Sequence, residues 1–215
     1  MRLVIFVGKL MSAARGNRKL WTDFFTNGRL SRPKSGGHVA IGRVLEPFRG
    51  RILGIDPSLR GTGLAVIDVK SRDEVDLIFS QTVKSPAKEL FSQCVYKIFT
   101  AINVAIRHYQ PKVCAIEQTI YVQNFQTAQV MGMARGAALA AVAGQNLGIF
   151  EYAPLRIKQA ICGYGRASKE QISRMVQAIL KIHIDVGFDE TDAAAAAICC
   201  FFTERLPSST IHSAI

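Results

Sequence analysis

The chain has 215 residues, 49% of them hydrophobic and 20% charged, proportions that suit one globular domain with a real core and room for an appendage. Its longest apolar run, Ala193 to Phe202, falls well short of the about 20 residues that a spanning helix needs, so no segment reads as a membrane helix. A net charge of +11 favours an anionic partner, nucleic acid before membrane, because no basic amphipathic helix is evident.

That charge is unevenly placed. Residues 1–50 hold ten of the 27 Lys and Arg but two of the 16 acids. They lack sustained periodicity and are broken by turn formers, as in Ser31-Arg32-Pro33-Lys34-Ser35-Gly36-Gly37. Such a segment buries little, and a disordered or loosely packed basic N-terminal extension is expected. Three roles fit it: an arm touching DNA, an Arg-rich targeting peptide, or translated sequence upstream of the true start. The expectation is the plain one, an unstructured or spurious extension. The apolar stretch Leu3 to Val7, followed by Lys9, is too short for a secretory signal.

From Arg51 the pattern changes. Arg51 to Asp56 reads as a strand, Pro57 to Gly63 as turn chemistry, and Leu64 to Val69 and Asp76 to Val83 as two more strands. Three strands with short connections predict an antiparallel meander. Pro86 is expected to open a helix in which Leu90, Cys94, Ile98, Ile102 and Tyr109 recur at helical spacing, ended by Pro111. Lys112 to Gln118 is a fourth strand. An Ala- and Gly-rich helix from about Asn124 to Leu147 follows, its small residues suited to close packing on both sides, against the sheet and against another subunit. Ile149 to Tyr152 makes a fifth strand, Leu155 to Cys162 a short helix, and Ser168-Lys169-Glu170-Gln171 has the capping-box form that starts another. A last helix spans about Asp189 to Glu204. The order βββαβαβααα predicts an α/β fold of ribonuclease H-like plan, a five-stranded mixed sheet whose first three strands are antiparallel, flanked by helices.

The five cysteines, at 94, 114, 162, 199 and 200, form no C-x-x-C pair and lie mostly in apolar segments. They read as small core residues in a reducing compartment, and the protein is expected to be cytoplasmic.

Four carboxylates stand where buried elements end: Asp56 after Ile52-Leu53-Gly54-Ile55, Glu117 after Val113-Cys114-Ala115-Ile116, and Asp189 with Asp192 opening the apolar last helix. Singly, most have ordinary explanations. Asp56-Pro57-Ser58 opens a turn, and Asp189 could cap its helix or complement its dipole. Glu117 is harder to explain, because Glu is seldom left at the end of so apolar a strand. Asp189 and Asp192, at i and i+3, lie on one helix face. In a ribonuclease H-like sheet the first and fourth strands are neighbours, so Asp56 and Glu117 would project together beneath that face. Hard oxygen ligands suit two Mg²⁺ or Mn²⁺ ions about 4 Å apart, the arrangement that attacks a phosphodiester in line.

Gly54-Ile55-Asp56-Pro57-Ser58, Ala115-Ile116-Glu117-Gln118, Phe150-Glu151-Tyr152-Ala153-Pro154 with Lys158-Gln159, and Asp189-Glu190-Thr191-Asp192-Ala193 resemble, in order and spacing, the RuvC family of Holliday junction resolvases. The resemblance covers about Arg51 to Arg205. It implies a ribonuclease H-like nuclease domain over 51–207 and a C-terminal tail at 208–215. It also implies a homodimeric, Mg²⁺-dependent endodeoxyribonuclease of DNA recombination and repair, which nicks two like-polarity strands of a four-way junction symmetrically. Its functional partner would be a branch-migration helicase complex of the RuvA and RuvB type.

By the same resemblance Asp56, Glu117, Asp189 and Asp192 would be the catalytic metal ligands, with Lys158 and Lys169 near the scissile phosphates. A helix N-terminus at Ser168 beside Lys169 is a natural phosphate seat, and Arg166 and Arg135 are further candidates for the DNA backbone. Where the family often carries a stacking aromatic three residues after its glutamate, this chain has Ile120; Tyr121 is the substitute expected to stack on DNA.

Three other readings compete. An actin-like or sugar-kinase-like ATPase could use Asp56 to Gly63 as a phosphate loop, but it needs a second domain of comparable size and leaves Asp189 and Asp192 without a task. A non-catalytic junction-binding module would be expected to lose at least one acid. Another ribonuclease H-like metal nuclease, acting on RNA–DNA hybrids or replication intermediates, would carry the same acids.

Overall fold

A computed structural model describes residues 48–119, 124–182 and 187–204. The expectations for residues 1–47, for Ile120 and Tyr121, and for the tail at 208–215 lie outside the described residues.

The sheet runs β3-β2-β1-β4-β5, built from β1 (Gly50–Asp56), β2 (Gly61–Val69), β3 (Val75–Lys84), β4 (Val113–Glu117) and β5 (Gly148–Tyr152). β1, β2 and β3 pair antiparallel, and β4 and β5 add parallel to β1. The expected mixed sheet with its antiparallel start is what forms. Phe48 is also packed into the core, so the folded unit takes in residues just before Arg51.

Among the described residues five helices cover the sheet: α1 (Phe91–Tyr109), α2 (Phe125–Ala143), α3 (Pro154–Cys162), α4 (Lys169–Leu180) and α5 (Phe188–Thr203). The side-chain period of two in a strand divides the interior into two cores. Leu53, Ile55, Leu64, Val66, Cys114 and Ile116 face α1 and α2. Ile52, Ala65, Ile67 and Ala115 face the other way, among α3, α4 and α5.

Two boundaries differ from expectation. α1 starts at Phe91 and not at Pro86, because Arg60 donates to the carbonyls of Pro86 and Glu89 and its own carbonyl accepts from the Ser85 amide. The carbonyls that would begin a helix are thus engaged by the β1–β2 turn. Gly61-Thr62-Gly63, expected to be a turn, is the first part of β2, and the turn is held instead by the Thr62 hydroxyl, which donates to the Ser58 carbonyl at 2.6 Å. The cysteines are free, with Cys94, Cys114, Cys199 and Cys200 buried, and burial pushes the Cys199 and Cys200 thiols up to about 12.

Candidate active site

Ile55 of β1 pairs with Ile116 of β4 in parallel register, so Asp56 and Glu117 leave the sheet side by side at the same edge. Two residues earlier, Gly54 and Ala115 share their parity, which turns both acids to the face covered by α5.

α5 lies very close to the strands. A Cβ on Gly54 would stand 1.9 Å from the Ala193 carbonyl oxygen, and one on Gly63 would stand 1.9 Å from that of Asp189. Neither glycine is among the residues with positive φ, so what selects them is the approach of the helix backbone. Ala193 to Ala197, all buried, continue the close contact. The result brings the first turn of α5 down onto the ends of β1 and β2. A Cβ on Gly61 would also meet the Asp189 carboxylate, at 2.9 Å.

Helix capping does not account for Asp189. The N-cap of α5 is Gly187, without a side-chain cap bond, and Asp189 is the second helical residue. Glu190, between the two predicted ligands, points elsewhere: its carboxylate accepts from Ser80 at 3.2 Å and Thr82 at 3.1 Å on β3. This anchor sets the rotation of the first turn, and sequence reading missed it because Glu190 looks like one more first-turn acid. The glycines at 54 and 63 were missed in the same way, since only the fold reveals what comes within reach of them.

The acids feel one another. Asp56 is raised from 3.8 to about 6, by burial first and then by the charges of Asp192 and Asp189, against the pull of Lys169. Glu117 rises from 4.5 to about 7, through burial first and then the charges of Asp56 and Asp192, opposed by Lys169 and Lys158. Asp192 is raised as well, by burial. Its compensation is an ion pair with Lys169 at 3.2 Å, with the Asp192 side chain 16% and the Lys169 side chain 64% exposed. Asp192 in turn raises Lys169.

Among the described residues no three His, Cys, Asp or Glu side chains yet surround a common point closely enough to hold an ion; Asp192 is drawn to Lys169 instead. The donor chemistry still fits a hard divalent cation. Four partly buried carboxylates share the site, the thiols are core groups, and His108, the histidine among the described residues, stacks edge-on against Tyr109 on α1.

The remaining candidates are distributed around the cluster. Lys158, on α3, is half-buried and close enough to lower Glu117 and Asp192. Lys169 is the first residue of α4, whose N-cap Ser168 forms the expected capping box with Gln171. Arg166 is exposed in the α3–α4 loop. Arg135, on α2, is paired with Glu151 at 2.6 Å.

A protein-family model described as "Crossover junction endodeoxyribonuclease RuvC" matches residues 52–200. Proteins of that name from Cupriavidus pinatubonensis and Herminiimonas arsenicoxydans are 40% and 41% identical over 149 residues, which span 69% of this chain and 82% of theirs. Among solved structures, Thermus thermophilus RuvC bound to a Holliday junction superposes with a TM-score of 0.67 at 28% identity, over 71% of this chain and 93% of that one. The yeast mitochondrial Holliday junction resolvase Ydc2 shares the fold, with a TM-score of 0.52 at 12% identity, over 75% of this chain and 79% of its own. Nucleases of this kind are metal-dependent in general. An acid-bearing strand pair beneath the first turn of α5, on a sheet of this order and with relatives this similar, shows that the chain belongs to the RuvC family of crossover junction endodeoxyribonucleases, the Holliday junction resolvases.

Proposed function

We propose that Asp56, Glu117, Asp189 and Asp192 form the centre that hydrolyses the phosphodiester, and that the chain works as a homodimer nicking two like-polarity strands of a four-way DNA junction symmetrically. The observation that carries the site is the adjacency of Asp56 and Glu117 at neighbouring strand ends, under a helix whose acids raise the pKa of Asp56. Carboxylates crowded and half-buried in this way resist ionisation until a cation joins them. When bound, two Mg²⁺ ions, for which Mn²⁺ can substitute, would supply an activated water and stabilise the leaving oxygen.

The chain's own residues do the rest. The strand ends and the Gly54 and Gly63 contacts fix the spacing of the acids before substrate arrives. Lys169 neutralises Asp192 in the metal-free protein; once the acids have another cation, its ammonium is available to the scissile phosphate. Lys158 approaches the same region from α3. Arg166 in the exposed loop and Tyr121 after β4 extend the DNA-binding surface, the first to phosphate and the second by stacking.

Symmetric cleavage needs two centres, and a second copy of the chain would supply the other one. The groove between α1 and α2, lined by Val95, Tyr96, Phe99, Met133, Gly136 and Ala137, is apolar, and Tyr96 is 70% exposed. We assign this face to the dimer contact. The protein would act in the cytoplasm, in recombination and repair, beside a branch-migration helicase complex of the RuvA and RuvB type.

Asp56→Asn tests the centre. Cleavage of a synthetic four-way junction in Mg²⁺ should be lost while junction binding persists, and residual nicking at the wild-type rate would remove Asp56 from the centre. Running the wild type on the junction, an RNA–DNA hybrid and linear duplex tests the substrate, with paired symmetric nicks expected in the junction alone.

A further inference from the structure

We infer that Arg135, held by Glu151, is a positioning residue for Glu117, and not a contact to the DNA backbone. The inference rests on the reading of Glu117 as a metal ligand, and it assigns the Arg135–Glu151 pair the task of fixing the end of the strand that carries it.

The two residues lie on the face of the sheet opposite the acids. Glu151 pairs in register with Ile116, and Ile116 is buried in the core beneath α1 and α2. Glu151 therefore shares the Ile116 face, whereas Glu117, one residue on, turns to α5. Arg135 reaches this place from the middle of α2. One guanidinium nitrogen donates to the Glu151 carboxylate at 2.6 Å, and another donates to the backbone carbonyl of Glu117 at 3.4 Å. The arginine side chain is 22% exposed and that of Glu151 35%, so Arg135 is mostly covered while its partner stays at the surface.

The position in the chain makes this contact more than a surface ion pair. Glu117 is the last residue of β4, and the chain then leaves the sheet for the segment leading to α2. After Glu117 the parallel ladder gives one further bond, from the Gln118 amide to the Tyr152 carbonyl at 2.9 Å. Beyond that, the terminal peptide of β4 is held from the side by Arg135, which is carried on the very helix the departing segment enters. Arginine suits this task because its planar fork can engage a carboxylate and a carbonyl together, which an ammonium does less well. Partners behind a metal ligand are worth about 10- to 100-fold in metal affinity or activity, so disturbing this one should show at the site although neither residue faces it.

The test uses the full chain and four variants: Arg135→Lys, Arg135→Gln, Glu151→Gln and the Arg135→Gln/Glu151→Gln pair, with Glu117→Gln as benchmark. Thermal melting identifies any variant that fails to fold, and Glu151→Gln, nearly isosteric, keeps the test open if the arginine changes do not fold. Mn²⁺ affinity is read by calorimetry without DNA. Junction affinity is read in EDTA across a salt series, and cleavage of pre-bound junction in a single turnover.

The expected result is about tenfold weaker Mn²⁺ binding and a similarly slower cleavage step in Arg135→Lys and Glu151→Gln. The double variant should be no worse than the poorer single, and junction affinity and its salt slope should be unchanged. Normal Mn²⁺ binding and cleavage in Glu151→Gln would overturn the inference. So would a salt slope reduced by about 0.9 in Arg135→Gln, which would make the residue a phosphate contact after all. If Glu117→Gln itself binds Mn²⁺ and cleaves normally, it is the parent assignment of the metal centre that fails, an outcome the benchmark separates from the others.

Discussion

On the α1 and α2 side of the sheet the interior is filled by large aliphatic side chains, Leu53, Ile55, Leu64, Ile98, Ile102 and Ile116 among them. On the α5 side large side chains such as Ile52, Ile67, Ile161 and Ile198 are present too, but where α5 crosses β1 and β2 the contact is made by Gly54, Gly63 and the run Ala193 to Ala197, with Asp56, Glu117, Asp189 and Asp192 at the edge. Both faces belong to the same five strands. Large side chains hold a helix off the sheet and gain stability by the area they bury. Small ones forgo that area and let the helix backbone descend, which is what brings two helical acids to the ends of two strands. Both faces stabilise the fold, and the close α5 contact uses part of that stability to keep like charges together.

If the α1–α2 face also carries the dimer contact, the largest effect should follow from charging its rim. Tyr96→Glu is expected to convert dimer to monomer in sedimentation and to replace paired nicks by single ones, with the acids untouched. A variant that stays dimeric and still cuts in pairs would move the contact elsewhere. Inside the same face, Ile98→Ala removes a fully buried side chain and should cost about 2–5 kcal/mol in urea unfolding. Its folded fraction should cleave at the wild-type rate, because Ile98 lies on α1, across the sheet from the acids.

The acid face predicts the opposite coupling. Asp56 and Glu117 have their folded pKa values raised to about 6 and about 7, from 3.8 and 4.5. Between the ordinary and the raised values the folded state binds more protons than the unfolded state, so stability falls as pH rises through that window. The metal-free wild type should therefore be more stable near pH 5 than near pH 8. Asp56→Asn should gain on the wild type as pH rises. Denaturant midpoints in EDTA at the two pH values measure this, and a wild type that gains on the variant with rising pH would contradict the charge-crowding account.

The sequence disclosed the two faces unequally. Strand alternation and the helical spacing of Cys94, Ile98 and Ile102 are local patterns, so the strands, the antiparallel start of the sheet and the α1 stripe were legible. The acids were legible as charges at the ends of apolar runs. What was not legible depends on distance in space. Gly63 read as a turn residue because a turn is the common local reason for glycine, whereas its reason is the Asp189 carbonyl, far away in the chain. The ion pair of Arg135 with Glu151 was not legible either, because nothing local to an arginine says that Glu151 waits for it. The start of α1 was misplaced for a similar cause, since Arg60 captures the Pro86 and Glu89 carbonyls from another turn.

The smallest expected effect is the sharpest probe of the difference between the faces. Ser168 caps α4: its hydroxyl oxygen accepts from the Gln171 amide at 3.3 Å, and the Ser168 amide donates to the Gln171 side chain at 2.9 Å. Ser168→Ala should cost about 1 kcal/mol, the ordinary worth of an N-cap. In the α1 core around Ile98 a loss of that size would leave cleavage unaltered. Here the residue that frays is Lys169, the first of the helix and the partner of Asp192. Cleavage of bound junction should slow by several-fold while the melting temperature drops by only about 2–4 °C. Ser168→Asp restores a cap acceptor but sets an acid beside the proposed phosphate seat, so it should recover the stability and not the rate. If both variants cleave at the wild-type rate, the position of Lys169 at the helix start has no part in the chemistry, and the ion pair with Asp192 is only a means of neutralising the metal-free site.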